Sequence, residues 1–209
     1  MVLRQSSAVP IYPEGTNGEP RATRDGIAFS ADILFAWALA GRVFIAGDAD
    51  QNDTVTGQTS FANTTPTFMI DVPEGVVCIP LYTDLSQTGT VAGGDIELLV
   101  EYDRVVRYAS GGTAERIRST HTRQPIAPRC VLYSGATAAA GYGMRVFSAD
   151  IAPDVSPAEG ILPGPLWTPV VPLILVGPAA FLVYSSAGTT GPTWLWSVCW
   201  AELPSDYAV

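Results

Sequence analysis

The sequence predicts an all-β protein, an antiparallel β-sandwich with an extended N-terminal arm, and three observations carry this. From Ile27 onward, short runs rich in Val, Ile, Phe, Tyr and Trp alternate with Gly, Pro, Thr and Asp clusters, the pattern of strands joined by turns. Residues 1–26 contain Pro10, Pro13, Gly15, Gly18, Pro20 and Gly26, too much punctuation for a helix. A strand–turn–strand–loop–strand pattern also occurs twice in the chain.

In chain order, the arm (1–26) is a segment of the kind that drapes over a neighbour. Residues 27–209 read as a single sandwich domain, because 209 residues with 47% hydrophobic content can bury one sizeable core. Strands are expected at 27–33, 42–47, 66–72, 76–84, 95–103, 130–135, 143–150, 168–176, 180–185 and 193–203. Only ILFAWALA, 33–40, reads as a short helix. The twofold pattern sets Thr65–Asp103 beside Thr168–Leu203: TP, a strand, a tight turn with Pro and Gly, a strand ending in Tyr, a Gly/Thr loop, and a strand ending near a Glu. Its offset drifts from 103 at the threonines to 101 at Glu101 and Glu202. As a true repeat it makes two equivalent three-strand units, an antiparallel β-sandwich of jelly-roll type; chance likeness of two β-rich segments is the alternative.

The pattern also speaks to faces. In DIELLVEYD, Ile96, Leu98, Val100 and Tyr102 alternate with Asp95, Glu97, Glu101 and Asp103, so the strand has one wet face. Aligning Glu101 with Glu202 sets Trp194, Trp196 and Trp200 on the equivalent of that face, pointing outward. An outward stripe of three Trp is too large an apolar patch for a monomer and predicts a subunit interface. The alternative is that these Trp fill the core.

Charge and composition narrow the partners. All 11 basic residues are Arg, and the net charge of -9 repels nucleic acid and anionic membranes. Cys78, Cys130 and Cys199 lie in apolar runs without metal-ligand spacing and are expected as buried thiols in a reducing compartment. The N-terminus lacks the apolar core of a secretory signal. No charge occurs between Glu159 and Glu202, yet five Pro between positions 163 and 178 argue against a membrane-spanning helix at 161–184.

Catalytic chemistry is sparse, and the expectation is a protein that is not an enzyme. His121 is the single histidine and reads as a solvated loop residue; nucleophile-elbow, zinc and phosphate-loop motifs are missing. Glu97 and Glu101 form a carboxylate pair, which on a strand face is ordinarily solvated. The stretch DADQND places Asp48, Asp50 and Asn52 at calcium-loop spacing, but Asp53 and Thr59 occupy the positions of the required Gly and Glu. A structural Ca²⁺ on a surface loop is the most this motif implies, and no other cofactor is expected. Arg104, Arg107, Arg116, Arg118, Arg123 and Arg129 are opposed over that stretch only by Glu115. They read as a docking loop for an acidic protein surface, or as a solvated loop paired with the chain's own acid.

With the arm, the strand–PEG-turn–Gly/Thr-loop pattern at 65–103 and 168–203, and the near-chargeless C-terminal third, the chain resembles the small jelly-roll decoration (cement) proteins of tailed-bacteriophage virions. The resemblance covers about half the chain and contains no diagnostic motif. It implies a homotrimer made in the host cytoplasm and bound to the outer surface of a major capsid protein shell, without direct contact to nucleic acid or membrane. A carbohydrate- or receptor-binding module, or another virion component such as a jelly-roll capsid protein, are the alternatives.

Overall fold

Two antiparallel sheets face each other across one apolar core. The computed structural model describes residues 33–48, 54–88, 93–123, 126–151, 162–163 and 167–205; the arm, residues 1–26, lies outside them. In chain order the elements are α1 (Ile33–Leu39), β1 (Val43–Gly47), β2 (Val55–Thr56), β3 (Phe68–Val72), β4 (Val76–Gln87), β5 (Ile96–Asp103), β6 (Tyr108–Ser110), β7 (Thr113–Ala114) and β8 (Arg118–Ser119). There follow β9 (Val131–Ser134), β10 (Thr137–Ala138), β11 (Met144–Ile151), β12 (Leu162–Pro163), β13 (Leu175–Val176), β14 (Ala179–Ser186) and β15 (Thr193–Pro204).

One sheet runs β12-β4-β15-β1-β8, with β13 also on β4 and β2 also on β15; the other runs β11-β5-β14-β3-β9-β7. The twofold pattern of the sequence maps onto this topology. β3, β4 and β5 correspond to β13, β14 and β15, and each unit's middle strand lies between the outer strands of the other: β14 between β3 and β5, β4 between β13 and β15. The PEG turn joining β3 to β4 closes at Gly75, whose φ of 77° is a backbone conformation that suits glycine.

Side-chain alternation builds the core. Phe44, Leu85, Trp194, Trp196, Val198 and Trp200 from one sheet meet Phe68, Ile70, Leu98, Val100, Phe181 and Val183 from the other. The outward-pointing Trp stripe is therefore corrected: Trp194, Trp196 and Trp200 are buried inside the chain. The cause is a one-residue slip of register, which flips a whole strand face. Glu101 shares the outer face of β5 with Glu97 and Leu99, whereas Glu202 shares the inner face of β15 with the Trp, so the two Glu are not equivalent positions.

Both outer faces are covered in part, which the single wet face of β5 does not anticipate. Trp37 and Ala38 of α1 pack on Val43, Val77, Ile79, Cys199, Ala201 and Leu203. On the other sheet, Ala136 and Ala138 pack on Met69, Ala180, Leu182 and Tyr184, carried there by a segment that includes the small β6–β10 ladder. The expected helix at 33–40 is present; the expected strand at 168–176 shrinks to two residues. Pro169 and Pro172 lack the amides a ladder needs.

Candidate functional site

The six arginines of the expected docking loop separate into two groups. Arg107 is 1% exposed. Its Nε donates to Ala139 O at 2.8 Å, Nη1 to Asp103 Oδ2 at 2.9 Å, and Nη2 to Asn63 O and Gly141 O at 3.2 and 3.1 Å. Four of its five N–H donors are bonded within the fold and the side chain is buried from solvent, so it is a structural rivet, and as a docking residue Arg107 is corrected. Arg129 also serves the fold, donating from Nη1 to Gly75 O and from Nη2 to Glu74 O while its amide donates to Glu202 Oε2. Arg104, Arg116, Arg118 and Arg123 remain exposed.

Arg116 and Arg118 lie with Asp84, Ser86 and Ser197, and with Ile45 and Leu195, along an open groove of about 540 Å³ on the outer face of the β4–β15–β1 sheet. Gly47 keeps its floor flat, since a Cβ there would meet Trp196 O at 2.5 Å. Asp48 also borders the groove, and its Oδ2 accepts the Trp196 amide. Asp50 and Asn52, the other two candidate calcium ligands, lie outside the described residues. Among the described residues no group of three or more His, Cys, Asp or Glu is placed to hold a metal ion.

The buried carboxylates have structural partners. Glu202 Oε1 accepts from Trp200 Nε1 at 2.9 Å and from the Cys130 amide at 3.2 Å. Asp71 accepts the amides of Arg107 and Tyr108, both at 3.1 Å; burial raises its pKa against the pull of those two donors. Glu101 is likewise raised by burial, opposed by the charges of Arg145 and Arg107. All three cysteines are free and buried, as expected; burial holds the Cys199 thiol up at about 11. His121 donates its amide to Ser119 Oγ in a half-buried turn.

The largest feature that sequence reasoning missed is an apolar surface. Val170 is fully exposed, Val171 is 77% exposed and Ile174 57%, and Met144 of β11 is 62% exposed. Val170, Val171 and Met144, with Val146, Pro169 and Pro172, border a shallow hollow of about 580 Å³ that Tyr102, Phe147 and Trp167 also line. Its signal was present in the charge-free run between Glu159 and Glu202, but reading 168–176 as a strand assigned those valines to the sheet. No described helix is long and apolar enough to cross a membrane, and the former span candidate holds β13 and β14.

Compared with protein-family models, with curated proteins and with solved structures, the chain matches none.

Proposed function

We propose that the protein is a non-enzymatic virion structural component, a jelly-roll decoration protein that binds and stabilises the head shell of a tailed bacteriophage as a homotrimer. One observation carries the assembly reading: the exposed apolar surface of Val170, Val171, Ile174 and Met144. Apolar surface gathered largely in one chargeless segment is what subunit interfaces bury. In this reading the surface takes the role first given to the Trp stripe, and the hollow receives the neighbouring subunit. The exposed arginines Arg104, Arg116, Arg118 and Arg123 serve as docking cations for acidic shell protein, and the arm reaches a neighbour or the shell.

The interlocked three-strand units favour the jelly-roll description over a simple meander. The carbohydrate-binding alternative loses its stacking platform, since Trp196 is 4% exposed and a sugar needs a free ring face.

The test is incubation of the purified protein with head shells lacking it, followed by sedimentation and electron microscopy. The reading expects co-sedimentation and added density at local threefold positions, both reduced by Val171→Asp. Protein that stays in the supernatant with shells of the encoding virus contradicts it.

A further inference from the structure

We infer that β11 is a second association site, pairing antiparallel with β11 of another copy across a twofold axis. Among the described residues β11 ends its sheet, with β5 as its one strand neighbour. A strand edge of this kind presents unpaired N–H and C=O groups and invites strand addition. The bulge between Arg145 and Phe147 disrupts the regular ladder at one end, leaving Phe147–Ile151 as the regular pairing segment.

The sequence of that segment, Phe-Ser-Ala-Asp-Ile, is self-complementary. Phe147, Ala149 and Ile151 stand opposite Val100, Leu98 and Ile96 on the inner face, while Ser148 and Asp150 stand on the outer face opposite Leu99 and Glu97. Directly opposed residues of an antiparallel pair share a face, so a twofold axis must pass through a residue. With the axis at Ala149, Phe147 of each copy meets Ile151 of the other, and Ser148 meets Asp150 as donor to acceptor. Moving the axis to Asp150 sets two carboxylates opposite each other and keeps only Ala149–Ile151 within the regular segment, and moving it to Ser148 keeps only Phe147–Ala149 and runs the rest of the pairing into the bulge after Arg145. Only the Ala149 register pairs all five residues of the regular segment, apolar to apolar and donor to acceptor.

The contact is isologous and closes with two copies, so it differs from a threefold contact and stands or falls without the trimer. A five-residue ladder is weak alone; copies held side by side on a shell gain from effective concentration.

The test uses the full chain with Ser148→Cys carrying a nitroxide label; the three native thiols are buried. In the Ala149 register the two labelled positions are diagonal neighbours about 8 Å apart. Concentrated protein is expected to give dipolar broadening that disappears on dilution with unlabelled chain. Absence of broadening at every concentration overturns the inference. Ser148→Glu sets two carboxylate pairs face to face and Ser148→Lys two opposite-charge pairs, so their dissociation constants are expected to differ by about tenfold or more. Equal constants overturn it. Residues 29–33 repeat the same pentapeptide, and Ser30→Glu is the matched control: weakening equal to that of Ser148→Glu assigns the edge to that segment and overturns the β11–β11 pairing. Ser148 is exposed, so neither charge variant should change the melting temperature of the folded chain.

Discussion

Arg107 Nη1 lies 2.9 Å from Asp103 Oδ2, and the same guanidinium reaches the carbonyls of Asn63, Ala139 and Gly141. One side chain thereby fastens three separate segments over the outer face of the β5–β14–β3 sheet. Arg107→Ala is expected to destabilise the protein by about 3 kcal/mol, because it removes four hydrogen bonds, one of them charge-assisted, and empties the buried space the side chain fills; Asn63 O and Gly141 O keep Tyr184 and Asn63 as donors. Urea denaturation measures this. Arg104→Ala, on an exposed side chain, should stay within about 0.5 kcal/mol; equal losses for the two would refute the rivet.

Trp196 stacks on Phe68 at a centroid separation of 4.9 Å, and Trp200 lies 6.2 Å from Phe44. Truncating either ring to Ala opens a core cavity and should cost about 3–5 kcal/mol. The oligomer mass of any variant that still folds should be unchanged. Loss of association at wild-type stability would return these rings to an interface.

Much of the fold was legible because it rests on period-two alternation and turn chemistry. The strands at 42–47, 66–72, 76–84 and 193–203, the PEG turn and the helix at 33–40 all follow from local pattern. The direction of the Trp stripe did not, since an alignment anchored on Glu101 and Glu202 is out of phase by one residue and sequence alone gives no register. The arginines show the same limit. Composition gathers Arg104 to Arg129 into one basic stretch, but whether a given guanidinium faces solvent or backbone carbonyls depends on tertiary contacts. Arg107 and Arg116 look alike in sequence and have different surroundings in the fold.

Glu202 is the acceptor for Trp200 Nε1 and for the amides of Arg129 and Cys130. Glu202→Ala should lower stability by about 2–4 kcal/mol, leaving buried donors unsatisfied. Hydrogen exchange at Cys130 should accelerate with it. Glu202→Gln retains one acceptor oxygen and should lose less; an alanine variant as stable as wild type would show that these bonds contribute nothing net.

Burial raises the pKa of Glu101 above its ordinary 4.5. The folded state therefore binds this proton more tightly than the unfolded state, and the group's contribution to stability declines as pH rises from 4.5 through the folded value. Glu101→Gln removes that decline. Melting temperatures recorded from below pH 4.5 to neutrality should show the variant gaining on wild type as pH rises, then holding a constant difference. A variant that loses ground over that interval would mean that Arg145 and Arg107 outweigh burial.

The central claim, that the chain works by assembling through its apolar surface, is tested most directly by light scattering behind a sizing column. The account predicts a species of three 22.1 kDa chains for wild type, and the single-chain mass for Val171→Asp at unchanged melting temperature. A wild-type protein that elutes with the mass of one chain at every concentration would contradict it.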